Sequence, residues 1–193
     1  MPTKSIDAGL EKDLLVAIGI DQSLTGFAFT ALAVSDPKQY MTWVYKSPYF
    51  GVERLVDIRQ FLFDHLDYIS EKHPIQKIAM EGTVLASHSA LVLGELSALV
   101  KLAIYDYFDD DTKFPVMVPP MTLKKYAAGK GNAKKQEMLL QMYKRWGVEF
   151  SDDNAADSYA LARLAADIFT DKVEESVVMQ MQDSKYQEIS PTI

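Results

Sequence analysis

Along the chain, the spacing of hydrophobic positions changes from that of strands to that of helices and back. Residues 14–20 form an uninterrupted apolar run with β-branched members, the pattern of a buried strand. A short Ser/Thr/Gly turn separates it from a second apolar run, 27–34, close enough for a hairpin. Asp36-Pro37 marks the next turn, and residues 40–45 alternate and are rich in aromatics, as a third strand would be. Three sequential strands joined by short turns are most simply antiparallel. From 52 to 69 the spacing becomes helical, with Leu55, Ile58, Phe61, Leu62, Leu66 and Ile69 on one face. His65 and His73 fall in or just after that helix and are read as surface residues. Residues 76–82 predict a short fourth strand, 87–108 a long apolar helix in which Gly94 permits close packing, and 114–118 a fifth strand ended by Pro119-Pro120. Helices over 134–146 and from about 153 to 169 follow.

The predicted order β-β-β-α-β-α-β-α-α defines an α/β fold. Its mixed sheet has five strands, the first three antiparallel and the last two entered through helical crossovers, with helices on its flanks. Residues 14–169 make one domain, 1–13 read as a polar leader, and 170–193 as a polar tail that is partly disordered or loosely docked.

Chemistry enters where strands end. The run 14–20 delivers Asp21 to a turn, and 76–80 delivers Glu81 to another. If the first and fourth strands are parallel neighbours, both carboxylates lie at strand carboxyl ends, where ligands bind in sheets of this kind. Burying even a neutral polar group unpaired costs roughly 2–7 kcal/mol, so Asp21 needs a cation, a hydrogen-bond network or a solvated cleft. Capping its own turn, by accepting from the amides of Ser23 or Leu24, is the ordinary alternative. A third acidic site is Asp152-Asp153-Asn154-Ala155-Ala156-Asp157. Ser151 or Asp152 can cap the helix, and acids in a first turn suit its dipole. Asp157 has no such explanation: it lies inside the helix among Ala155, Ala156, Ala160 and Ala162, and Asp153 and Asn154 share its face. An all-oxygen set of this kind suits hard divalent cations, and two magnesium ions about 3.5–4 Å apart can drive phosphodiester hydrolysis.

Composition removes competing chemistries. The chain has no cysteine, which excludes disulfides, zinc–thiolate sites and thiol catalysis and is compatible with a cytoplasmic location. The polar, acid-bearing N-terminus is not a signal peptide, and no apolar run reaches the roughly 18–20 residues of a membrane span. Net charge is −7, yet residues 121–149 carry seven basic residues (Lys124, Lys125, Lys130, Lys134, Lys135, Lys144, Arg145) against Glu137 and Glu149. That local +5 leaves −12 for the remainder. A basic contact surface on an otherwise acidic protein has this distribution, with a solvated helix face as the plainer alternative. Gly129 and Gly131 within it would let the backbone approach a phosphate.

Four stretches taken together, Gly19-Ile20-Asp21-Gln22-Ser23-Leu24-Thr25-Gly26, Ala79-Met80-Glu81-Gly82, Gly129-Lys130-Gly131-Asn132-Ala133-Lys134-Lys135 and Asn154-Ala155-Ala156-Asp157-Ser158-Tyr159-Ala160-Leu161, resemble in order and approximate spacing the motifs of RuvC-like Holliday junction resolvases. Ser89-Ala90-Leu91-Val92-Leu93-Gly94 is similar to the family's helix after the catalytic Glu. The resemblance covers about 14–169. It implies an RNase H-like fold and a homodimer that uses magnesium, with manganese as a substitute and two ions per site, to place symmetric nicks in two opposed strands of a four-way DNA junction. Asp21, Glu81 and Asp157 would then be metal-binding catalytic carboxylates. The family's fourth acidic or His position falls on Asn154, a departure; Asn154 could offer a carbonyl oxygen, or Asp153 could take its place. Lys124 and Lys135 match basic positions used for DNA phosphates and catalysis, with Lys125, Lys130 and Lys134 beside them on the DNA. Val84 replaces an aromatic that the family uses near the junction centre, and the turn after Asp21 is shorter than usual. Two other functions share these features: a junction-binding module without catalysis, and an actin-like ATPase, whose fold also opens with a Gly-Ile-Asp strand but needs a second phosphate loop and usually far more chain.

Overall fold

A computed structural model of the chain describes residues 3–82, 90–108 and 113–187. In chain order the elements are β1 (Lys4–Asp7), β2 (Val16–Asp21), β3 (Phe27–Ala33), β4 (Tyr40–Tyr45), α1 (Gly51–Ser70), β5 (Ile75–Glu81), α2 (Ala90–Phe108), β6 (Val116–Val118), α3 (Pro120–Ala128), α4 (Lys135–Trp146), α5 (Asp153–Ala165) and α6 (Lys172–Met181). The strands form one mixed sheet in the order β1-β4-β3-β2-β5-β6. β2–β3 and β3–β4 are antiparallel, as short turns require, while β2–β5 and β5–β6 are parallel and joined by helical crossovers. Every residue of β2 and β3 is buried, because helices cover both faces of the sheet at its centre; hence the unbroken apolar runs.

Alternation along β2 sorts its side chains between two cores. Val16, Ile18 and Ile20 face α1 and α2, packing with Ile58, Leu62, Leu66, Leu96 and Val100. Ala17 faces the other way, toward α5 and the helices around it, and Gly19 and Asp21 share that side by period two. The α5 side is built from small residues. A Cβ on Gly19 would overlap the backbone of Ser158 and Ala162, so glycine is what lets α5 lie directly on β2.

Several expectations change. The sheet has six strands, not five: Lys4–Asp7, within the stretch read as a leader, pairs antiparallel with β4 from Lys4↔Val44 to Asp7↔Met41. This edge strand is short, exposed and ends in charges, so it lacks the apolar alternation by which strands are recognised. The segment read as a loosely docked tail contributes α6, which buries Glu174, Val177, Val178 and Met181; residues 188–193 lie outside the described residues. His73 is buried, and His65 packs against Phe61 and Trp43, with ring centroids 3.9 and 4.9 Å apart, so neither is a surface residue. Val84, and residues 87–89 of the long apolar helix, also lie outside the described residues.

Candidate active site

Three elements converge where β2 and β5 end. The register Ile20↔Met80 places Asp21 beside Glu81 at the carboxyl ends of two parallel strands, and the Gln22 Nε2 donates to the Glu81 carbonyl at 2.6 Å, tying those ends together. Asp157 comes from α5, held over β2 by the small-residue contact at Gly19. Asp152 is the N-cap of α5, its Oδ1 accepting from the amides of Asn154 (3.0 Å) and Ala155 (3.4 Å).

The electrostatics of the three carboxyls are unfavourable as they stand. Asp21 is 4% exposed, and burial, followed by the charges of Asp157 and Glu81, pushes its pKa well above the usual carboxylate value. Burial raises Asp157 to about 7, with Glu81 adding to the shift, and burial also raises Glu81. The ammoniums of Lys135 and Lys124 oppose these shifts at Glu81 and Asp157, and Lys135 does so at Asp21. A small cleft lined by Lys124, Lys135, Met138, Leu139, Asp153, Ala156 and Asp157 opens onto the site.

Lys135 Nζ donates to Asp153 Oδ2 at 2.8 Å, an ion pair that is 70% and 38% exposed at its two ends. Lys134 and Lys135 are the N-cap and first residue of α4, where the helix dipole disfavours cations and no side-chain cap compensates them. Of the two, Lys135 faces the carboxylates, lining the cleft with Asp153 and Asp157. Lys130 pairs with Glu137 at 2.6 Å, and Lys124 and Lys125 lie on α3. Gly129 is the left-handed C-cap of α3 (φ +80°) and Gly131 sits tight against the Met121 carbonyl, so both glycines have structural duties in the loop that joins the two basic helices. Asn154 is engaged outside the cleft lining: its Nδ2 donates to Asp152 at 3.3 Å and its amide packs against Gly26, where an added Cβ would meet it. Asp153, not Asn154, lines the cleft with Asp157.

Among the described residues, no three carboxylate or histidine side chains already close on a single point. The donor set nevertheless suits a hard divalent cation. Its oxygens are carboxylates, Asp21 is buried and Glu81 and Asp157 partly so, and Asp157 and Glu81 raise Asp21 while Glu81 raises Asp157, which is the imbalance a bound cation removes. Asp21, Glu81 and Asp157 are the side chains able to hold such an ion, with Asp153 at the rim. Sequence reasoning missed Gln22, and the hydroxyls of Thr30, Thr42 and Ser158 that lie beneath α5, because polar residues of middling size in strands and helices carry no distinguishing pattern.

The sheet order, with its antiparallel half, its parallel half and α5 laid on the face of β2, β3 and β5, is consistent with an RNase H-like fold. No protein-family model and no curated protein sequence matches the chain. Solved structures do. Thermus thermophilus RuvC is 21% identical, with a TM-score of 0.61 over 87% of this chain and 97% of that one. T. thermophilus RuvC in complex with Holliday junction substrate gives 19% identity and a TM-score of 0.60 over 86% and 96%. The yeast mitochondrial Holliday junction resolvase Ydc2 gives 14% and 0.53 over 90% of this chain and 83% of that one.

Proposed function

We propose that the chain is a divalent-metal-dependent endonuclease that cuts four-way DNA junctions by phosphodiester hydrolysis, as a homodimer placing paired nicks in opposed strands. The observation that carries this is the convergence of buried Asp21 with partly buried Glu81 and Asp157 beside Lys124 and Lys135. It stands on a fold similar to that of a RuvC whose structure contains a Holliday junction.

Each residue has a distinct task in this proposal. Asp21 and Glu81 fix two oxygens on the rigid end of the sheet, and Asp157 brings a third from the helix above. Magnesium or manganese held by them, one ion or two, would activate the attacking water and stabilise the leaving oxygen. Lys124 and Lys135 draw a strand's phosphate toward the carboxylates, which would otherwise repel it, while Lys125, Lys130 and Lys134 extend the basic surface along the duplex. Asp153 is the better candidate for a fourth ligand, since its partner is an exposed ammonium and exposed ion pairs exchange at little cost. That cleft-lining carboxylate also weighs against a junction-binding module without catalysis.

Two opposed cuts require two sites related by a twofold axis, and α2 offers a surface for one: Leu91 is 79% and Leu102 62% exposed on its outer side. No helix among the described residues is long and apolar enough to cross a membrane. A cytoplasmic location belongs to the same proposal, and the absence of cysteine agrees with it. The test is an end-labelled four-way junction incubated with the protein and magnesium, manganese or chelator. Paired nicks with either metal and none with chelator are expected; an intact junction under every condition would refute the proposal.

A further inference from the structure

We infer that a buried chain of hydroxyls, Thr42–Thr30–Ser158, is a positioning device that sets where α5 sits along the sheet and therefore where Asp157 is presented to Asp21. The role of Asp157 rests on the nuclease proposal above; the geometry of the hydroxyls does not.

Three strands supply one row of residues beneath α5. Gly19 is in register with Thr30, and Thr30 with Thr42, so the row runs across β2, β3 and β4 at a single level. Ser158 stands on that row twice. Its backbone carbonyl lies against Gly19, where a Cβ would overlap it, and its hydroxyl is 2.7 Å from the Thr30 hydroxyl. Thr30 is in turn 2.8 Å from Thr42, and the Ser158 Oγ donates to the Ala155 carbonyl at 3.0 Å. Each hydroxyl has one proton, so the bonds run one way: Thr42 donates to Thr30, Thr30 to Ser158, and Ser158 to Ala155. All three residues are buried, and no other arrangement of three protons satisfies all three bonds.

At the centre of this contact the hydroxyl chain is the directional link: the facing residues there are Ala155, Ala162, Ala17, Gly19 and Ala28, too small to interlock as ridges and grooves. Tyr159, whose ring packs on Tyr40 and whose hydroxyl donates to the Pro37 carbonyl at 2.8 Å, holds the helix at a second point toward β4. Burial of apolar area is non-directional and opposes sliding or rotation of the helix only weakly. A hydrogen bond between Thr30 and Ser158 has a direction and a length, and it lies one residue from Asp157 on the helix and two residues from the level of Asp21 on the sheet. Catalytic groups tolerate misplacement of about 1 Å poorly, with losses of about 100-fold in rate.

The experiment separates position from stability by removing the whole chain of hydroxyls with groups of similar shape, Thr30→Val, Thr42→Val and Ser158→Ala together. Replacing every member leaves no buried donor unpaired, so the variant folds. Should it not, Thr30→Val with Thr42→Val, which leaves the Ser158 donor on the Ala155 carbonyl, carries the same expectation. Calorimetric titration of the metal-free protein with Mn2+, junction affinity in chelator and single-turnover cleavage in magnesium are measured, with Thr30→Ser as the conservative control. The expected result is unchanged junction affinity, Mn2+ binding weakened about 10-fold and cleavage slowed about 100-fold, with Thr30→Ser close to wild type. Wild-type Mn2+ affinity and rate in a folded variant would overturn the inference, as would a rate lowered only in proportion to the folded fraction. A wild-type protein that binds Mn2+ but cuts no junction would overturn the nuclease proposal, leaving the inference to be decided by the Mn2+ affinities; one that binds no Mn2+ would overturn both.

Discussion

Asp157 titrates at about 7 because burial, and then Glu81, disfavour its charge, and this ties stability to pH in a definite direction. Between its unfolded value near 4 and about 7 the folded state binds the extra proton, so metal-free stability is greatest below this window and falls as pH rises through it. Asp157→Asn should therefore stabilise the metal-free protein at pH 8 by ~1–4 kcal/mol, and the gain should vanish near pH 4. Thermal melts across that range, in chelator, check it; equal gains at both ends would contradict the assignment. Metal uptake should show the opposite trend, strengthening as pH rises toward 8, since the ion competes with protons. Lys135 belongs at this scale too. Its pair with Asp153 is exposed and worth at most about 1 kcal/mol, so the ammonium can exchange Asp153 for a phosphate. Lys135→Ala should weaken junction binding, lower the salt slope by about one unit and slow cleavage, while Lys144→Ala, near the exposed far end of α4, should do much less. Identical salt slopes for wild type and Lys135→Ala would place the DNA elsewhere. Asp21, Glu81 and Asp157 stand out in the sequence because each is a charge set among apolar or small residues. Thr30, Thr42 and Ser158 do not, since a threonine in a strand or a serine in a helix is unremarkable until the register is known. Asn154 could not be placed in advance, because its direction is set by the turn at Gly26.

Elements were legible where periodicity is strong and hidden where charge does structural work. The α6 segment reads as tail in the sequence because its buried face includes Glu174, a residue that signals exposure. In the fold Glu174 is fully buried: the Arg145 guanidinium lies 2.7 Å from it, the Trp146 indole donates at 2.8 Å and the Thr170 amide at 2.6 Å, with Arg163 at 3.9 Å. Arg145 also donates to the Tyr126 carbonyl at 2.9 Å, so the cluster joins α3, α4, α5 and α6, the helices that carry the basic residues and Asp157. Removing one partner of a buried pair leaves the others uncompensated. Glu174→Ala should cost about 3–5 kcal/mol in urea unfolding, whereas a loosely docked tail would give less than about 0.5. β1 was missed for the complementary reason, since an edge strand guarded by charges has no buried face to reveal it.

For the whole molecule the proposed activity asks an acidic protein to hold DNA and cut it twice. With −12 outside residues 121–149, the proposed binding is concentrated on α3, α4 and the loop between them. In the proposed homodimer, symmetry supplies the second cut. The outer face of α2, with Leu91, Leu102 and Tyr105 exposed, is the apolar surface expected at the dimer interface, and light scattering at micromolar concentration should give twice the chain mass. A monomer that still nicks both strands would contradict it. The measurement that tests the central claim most directly compares wild type with Asp21→Asn, Glu81→Gln and Asp157→Asn on one labelled four-way junction, recording binding in chelator and cleavage in magnesium. The account predicts that all four proteins bind with similar affinity and that each variant cuts more than about 100-fold more slowly; near wild-type cleavage by any one of them would remove that carboxylate from the site.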